Sequence, residues 1–363
     1  MLKQDDIDRL RLIRSPKIGP VSYRRLLSRF GTAGAALAAL PQLASRGGGN
    51  YRAADIAEIQ REIEQADRAG ARYCFADSAD YPPLLAELGN APAAFAYRGD
   101  LSLASQMTLG IVGARNASAG ACKFARNLAQ QLGERGIVVV SGLARGIDTS
   151  AHAGSLANGT IAVIAGGIDV AYPPQNFDLQ QEIAQRGLLI AEQPPGVEPR
   201  ARHFPYRNRI IAGLSQGTLV VEAAPKSGSL ITARLAAEAG RDVMAIPGSP
   251  IDPRARGCNQ LIREGATLVQ DADEIAELLS PLDSRVSETA RQATFFAEET
   301  SGGDANEDER RCVADLLGHS YVEVDEVVRQ SGVAAPVVQL VLIELELAGR
   351  LERGAGAKVR LAG

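Results

Sequence analysis

Four arginines, a phenylalanine and a tyrosine crowd the stretch RARHFPYRNRII, Arg200 to Ile211, and no Asp or Glu intervenes from Arg200 to Val221. Cations spaced along a segment track the phosphates of a flexible strand, and an aromatic face gives an unpaired base something to stack on. Together they fit single-stranded nucleic acid better than a duplex or a small metabolite. The candidates here are Arg202, Phe204, Arg207, Asn208 and Arg209, with Phe204 and Tyr206 as stacking platforms. Three Gly-rich turns elsewhere offer anion cradles of backbone N–H groups at helix N-termini. The first, GIVGARNASAG, carries Gly113 and Arg115; the second, SGLARGIDTSAH, carries Ser141, Gly142 and Arg145; the third, AAPKSGSLITA, carries Lys226, Ser227 and Gly228. Neither a clean dinucleotide fingerprint nor the Gly-x-x-x-x-Gly-Lys-Ser/Thr of a P-loop is present, which argues against nicotinamide binding and ATP hydrolysis. Asp148 and His152, four residues apart, have the spacing of an acid–base pair, but such spacing more often serves a cap or structural hydrogen bond, so no catalytic residue is assigned.

Positioning these turns on one rim requires a particular scaffold. TLGIVGA, GIVVVSG, TIAVIAG, GLLIAEQ, GTLVVEAA and DVMAIPG are near-continuous apolar runs ending in small residues, separated by amphipathic helical segments. That alternation predicts a Rossmann-like, doubly wound α/β domain over 73–280, mostly parallel, with the Gly-rich turns beyond the carboxyl ends of its strands. The arginine-aromatic stretch then falls in a loop between GLLIAEQ and GTLVVEAA, at the same edge. Residues 1–72 have helical spacing and KIGPVSYRRLLSRFG resembles a helix-hairpin-helix, giving a SAM/helix-hairpin-helix-like module. Polar, acidic 281–308 reads as a linker. The tail, 309–363, reads as helix, helix and two short basic strands around a Gly turn, a winged helix. Its longest helix, PVVQLVLIELELAG, has no basic residue, so a structural or protein-contact role is favoured, with Arg350, Arg353, Lys358 and Arg360 on the wing keeping DNA contact open.

The whole chain, 363 residues and 45% hydrophobic, has a net charge of -4, so a polyanion must be met by a local patch rather than a global field. Cys74, Cys122, Cys258 and Cys312 are too scattered for a metal-ligand pair or disulfide framework. No metal and no cofactor is expected. A charged N-terminus and the lack of an apolar run near 20 residues lead to the expectation of a cytoplasmic protein without a membrane span.

The ordered motifs LGIVGARNASAGA, VVVSGLARGIDTSAH, TIAVIAGGIDVAYPPQN, FPYRNRIIAGLS, VVEAAPKSGSLITARLAAEAGRDVMAIPG and GCNQLIREGA resemble the DNA-processing protein A (DprA/Smf) family, strongly over about Tyr81 to Val269. The resemblance implies a homodimer, not known as an enzyme, that binds single-stranded DNA without ATP, protects incoming strands during natural transformation and loads the RecA recombinase. It carries pocket roles to Arg115, Phe204, Arg207, Asn208, Arg209, Lys226, Ser227 and Gly228. Ala114 and Cys258 depart from the family pattern. Two alternatives stand beside it. One is a nucleotide N-glycosidic hydrolase, for which Glu222 is the carboxylate at issue; the other is an adaptor whose terminal modules do the work.

Overall fold

The structure is a computed structural model and describes residues 3–280, 304–354 and 356–362. The chain divides into two compact units, one of Arg61–Pro281 and one that joins Met1–Gln60 to Leu282–Gly363.

The central unit is built on a nine-stranded sheet. Its strands are β1 (Arg72–Phe75), β2 (Ala94–Gly99), β3 (Thr108–Val112), β4 (Val138–Ser141), β5 (Thr160–Gly167), β6 (Leu188–Gln193), β7 (Gly217–Val220), β8 (Asp242–Ala245) and β9 (Thr267–Leu268). Their order is β1-β2-β6-β5-β4-β3-β7-β8-β9, parallel from β6 to β9 and antiparallel at β1 and β2. All six apolar runs expected to be strands are strands. β1, β2 and β9 had no such signal: β1 and β9 are short edge strands, and β2, though interior and buried from Ala94 to Tyr97, is built of alanines and aromatics rather than a Val/Ile/Leu run.

Alternation along the strands explains the layering. Ile161 and Val163 of β5 face one core with Ile210, Ile211 and Leu214, while Ala162 and Ile164 face the other side with Ile183. Two residue sets, each facing a separate layer of helices, make the sheet the middle of a three-layer α/β sandwich. Helices α6 (Ala119–Glu134), α7 (Ile147–Ser155), α8 (Phe177–Arg186) and α12 (Ala272–Leu279) cover one face; the short α5 (Pro83–Ala86) with α9 (His203–Leu214), α10 (Gly228–Glu238) and α11 (Arg256–Arg263) cover the other. The chain steps from β3 through β4 and β5 to β6, then returns along α9 to place β7 on the other side of β3. The crevice between β3 and β7 is therefore the topological switch point, where open α/β sheets bind ligands.

One expectation changes here. The arginine-aromatic stretch is a helix, not a loop: α9 begins at His203, and every residue from Arg207 to Leu214 is buried. Pro205 sits in the first turn, where its missing N–H costs nothing, and buried Ile210, Ile211 and Leu214 fix the helix to the sheet.

In the terminal unit, α1 (Gln4–Arg14), α2 (Pro20–Phe30) and α3 (Ala33–Arg46) precede α4 (Ile56–Arg68), which runs across the boundary between the units. Ala66 of α4 is already part of the central unit's core, so that unit begins before residue 73. Residues 281–303 of the expected linker lie outside the described residues; helix resumes at Glu307. The C-terminal part comprises α13 (Glu307–Asp315), α14 (Val324–Ser331), α15 (Ala335–Ala348) and a three-stranded sheet of β10 (Val322–Glu323), β12 (Lys358–Leu361) and β11 (Leu351–Gly354), a winged helix. Among the described residues no single helix is long and apolar enough to cross a membrane.

Candidate nucleic-acid interface

The first and third turns and the start of α9 meet at the switch point around a cleft of about 700 Å³, with Arg115, Phe204, Asn208, Lys226 and Ser227 in its lining. A smaller hollow of about 260 Å³ adjoins it through Arg115, Tyr172, Phe204 and Arg207, and adds Gly142 and Arg145. The expected convergence on one rim is thus present in the geometry.

Each turn uses its backbone differently. In the first, Gly113 lies so close to Ile147 that a Cβ would come within 2.5 Å of its side chain. Ser118 caps α6 by accepting a hydrogen bond from Ala121 N at 3.1 Å. The carboxylate of Glu222, at the end of β7 and 8% exposed, accepts from both Ser118 N (3.0 Å) and Ser118 Oγ (2.8 Å). This helix N-terminus, an obvious anion seat, is therefore filled by the chain's own carboxylate. A nucleotide hydrolase needs a carboxylate poised over a ribose; Glu222 is instead spent on Ser118.

The second turn is closed in a similar way. Ser141 is buried and its hydroxyl donates to Ile111 O at 2.6 Å, while Gly142 N and Ala144 N donate to Asp148 Oδ2 at 3.2 and 3.4 Å. Burial raises the Asp148 carboxyl to about 6 against the opposing pull of Arg207 and these two amides. His152 is fully buried, its Nδ1 2.7 Å from Thr160 Oγ1, and burial with Arg207 nearby drives it down to about 3. Asp148 holds a turn and His152 a strand, which accounts for both without proton transfer to a substrate. Only Arg145 of this turn is exposed toward solvent.

The third turn stays open. Lys226 adopts a left-handed φ of 67° and is exposed, and Ser227 caps α10, with its Oγ accepting from Ser229 N at 3.4 Å. Asn208 is buried and ties α9 to this turn by donating to Gly228 O at 3.3 Å. The N-terminus of α10, unlike that of α6, lines the cleft through Ser227, Gly228 and Ser229.

The arginines separate into two classes. Arg207 is 6% exposed, donates to Val163 O, and packs against Gly142 so tightly that a Cβ there would lie 2.0 Å from its Nη1; burial brings its guanidinium down to about 10. Arg209 is 3% exposed, pairs with Glu192 at 2.5 Å, and lies over the Tyr206 ring at 4.2 Å. Arg115, Arg145, Arg202 and Lys226, by contrast, are exposed, and none has a direct ion pair with a carboxylate among the described residues. Arg115 lies over the Phe204 ring at 4.9 Å, and on the ring's other neighbour, Tyr172, the centroid distance is 5.5 Å. Tyr172, 47% exposed, was not among the sequence candidates. The signal for it was an aromatic followed by two prolines just beyond β5. Tyr206 is equally exposed but absent from the lining of both cavities.

Among the described residues no cluster of His, Cys, Asp or Glu has the arrangement to hold a metal ion. The wing of the winged helix offers little free charge: Arg353 pairs with Glu346 at 2.9 Å, Lys358 with Glu323 at 3.7 Å and Arg360 with Glu352 at 2.6 Å.

Comparison with known proteins agrees with this organisation. Family models match three consecutive regions: DprA-like N-terminal HHH domain over residues 3–65, DNA recombination-mediator protein A over 72–280, and DprA winged helix domain over 297–357. The DNA processing protein DprA of Streptococcus pneumoniae is 48% identical over 197 residues, covering 54% of this chain and 70% of that protein. Its X-ray structure matches with a TM-score of 0.58 at 42% identity, over 62% of this chain and 78% of that one. Protein Smf of Escherichia coli is 39% identical over 292 residues, 79% of this chain and 76% of its own length. DNA processing protein A of Helicobacter pylori, whose structure was solved to describe its single-stranded DNA binding mode, matches with a TM-score of 0.53 at 28% identity, over 58% of this chain and 97% of that one. With its central domain, its flanking modules and their order all matched, this chain belongs to the DNA recombination-mediator protein A (DprA/Smf) family.

Proposed function

We propose that the protein binds single-stranded DNA in the switch-point cleft without nucleotide or metal, and acts as a recombination mediator that protects incoming strands and loads RecA onto them during natural transformation. The observation that carries this reading is the set of exposed cations without a carboxylate partner among the described residues that line the cleft and its adjoining hollow, Arg115, Arg145 and Lys226, with exposed Arg202 at the N-cap of α9, beside a Phe204–Tyr172 aromatic pair on a protein of net charge -4. The cations supply sequence-independent attraction to phosphates and the rings a face for unpaired bases. In this reading Gly113, Ser141, Gly142, Arg207, Asn208 and Arg209 hold the cleft in shape, while Ser227 and Gly228 present the N-terminus of α10 to a phosphate. The single-strand binding of the Helicobacter relative supports the same assignment. Engagement of Glu222 by Ser118 supports binding rather than bond cleavage. The active form is a homodimer in the cytoplasm.

Fluorescence anisotropy of labelled oligo-dT and of its duplex, over a salt series with no nucleotide or metal, tests the binding step. Preference for the single strand is expected, with a log-log slope of about -3 for four neutralised phosphates. Equal binding of duplex, or none at low salt, refutes it. RecA loading is checked by the lag before RecA filaments grow on a strand already coated with single-strand binding protein; the protein should shorten that lag.

A further inference from the structure

The third helix of a winged helix is the element that ordinarily enters a DNA groove, so one of its faces should meet solvent. Here α15 has no such face. From Pro336 to Gly349 no residue is exposed, and every residue from Val337 to Leu347 is buried except the half-buried Gln339 and Glu346. A helix buried over three consecutive turns is covered all round. The winged helix covers part of it; α3 and its C-terminal turn cover the rest.

The contact is close and specific. A Cβ at Gly47 would lie 2.1 Å from Glu344 O, and one at Gly49 2.7 Å from Ala348 Cα, so only glycine permits this backbone approach. Ser22 Oγ donates to Glu346 Oε2 at 2.8 Å, and Arg350 donates to Gly47 O at 3.3 Å. Glu344, 1% exposed, accepts two hydrogen bonds from Arg310 of the winged helix at 2.8 and 3.0 Å and lies 3.7 Å from Arg46 of α3. Arg46 also pairs with Asp304 at 2.8 Å. One buried carboxylate thus answers a guanidinium from each module, and losing either leaves a buried charge under-compensated. The turn between α1 and α2 is engaged too. Lys17 Nζ reaches the C-terminal end of α15 at Gly349, where the helix dipole favours a cation.

We infer that the winged helix is the docking partner of this chain's own N-terminal helical module and does not read DNA through its third helix. The absence of basic residues from α15, and the carboxylate partners of Arg353, Lys358 and Arg360 on the wing, agree with that role.

The test uses the full chain with Cys312, the exposed cysteine, changed to Ser and with Ser22→Cys and Glu346→Cys introduced. A short bis-maleimide should join positions 22 and 346 within one chain, leaving the monomer mass on a denaturing gel and a bridged peptide on mapping. The bridged protein should bind oligo-dT and duplex within twofold of the unbridged one. A bridge between two chains would make a second copy the occupant and overturn the inference, as would failure to bridge. Loss of binding by tenfold or more in the bridged protein would make α15 a DNA surface and also overturn it. Hydrogen exchange on the unmodified chain covers the case where the double variant does not fold. Gly47→Leu should then speed exchange in α3 and α15 together, and unchanged exchange in α15 would refute docking. Cross-linking and exchange are read without DNA, so they stand or fall separately from the cleft assignment.

Discussion

Removing an exposed arginine and a buried one from the same site should produce opposite signatures. Arg115 is exposed over Phe204, whereas Arg209, six positions into α9, is buried against Glu192. Each cation that neutralises a phosphate on a single strand contributes about -0.7 to the log-log salt slope. Four give about -3, equivalent to a roughly 50-fold loss of affinity between 50 and 200 mM salt. Arg115→Ala should reduce the slope to about -2 and that loss to roughly 20-fold. Arg209→Ala should leave the slope unchanged and remove the guanidinium that pairs with Glu192, whose side chain is 16% exposed. Breaking a buried pair on one side costs on the order of 3–5 kcal/mol, which for a domain of this size lowers Tm by roughly 10 °C. Anisotropy over a salt series and a thermal melt on each variant check both halves. A flatter slope with unchanged Tm for Arg209→Ala, or a slope near -3 retained by Arg115→Ala, would refute the division into contacting and positioning arginines.

Phe204→Ala should weaken oligo-dT binding by about 1–3 kcal/mol without changing the salt slope, since stacking releases no counterions. Gly142→Ala should cost about 1–3 kcal/mol of stability in urea unfolding, because its Cβ would lie 2.0 Å from Arg207 Nη1 and push that side chain off Val163 O. Asp148 and His152 give opposing pH effects. The folded carboxyl of Asp148, near 6 against an ordinary 3.8, favours the folded state below pH 6 and loses that contribution as pH rises through 6. His152, near 3 against 6.5, loses stability as pH falls from 6.5 toward 3. The stability advantage of wild type over Asp148→Asn should therefore be larger at pH 5 than at pH 8 by about 1 kcal/mol, measured by denaturant melts at both values.

Much of the central fold is legible in the sequence because parallel strands are buried on both faces and announce themselves as apolar runs, as in TIAVIAGG over β5. The turns after β3, β4 and β7 were legible for the same reason: each follows such a run. What could not be read is which polar groups those turns spend internally. Glu222 reaching Ser118, and Asp148 taking Gly142 N, are contacts made across strands and turns, invisible to spacing. The misreading of Arg200 to Ile211 as a loop has a similar origin. Its arginines suggested solvent, yet Arg207 and Arg209 are buried by partners distant in sequence, Val163 and Glu192. The largely apolar character of α15, with no basic residue, was visible, but its second cover, α3, lies at the other end of the chain.

That separation has a consequence for synthesis. Ser22 and its partner Glu346 are 324 positions apart. A ribosome adding roughly 5–20 residues per second would leave the docking face of α3 bare for about 15–65 s before α15 emerges. A message interrupted after the central unit would release a chain with that face permanently uncovered, so truncated products should be recognised by chaperones and proteases more readily than the finished protein.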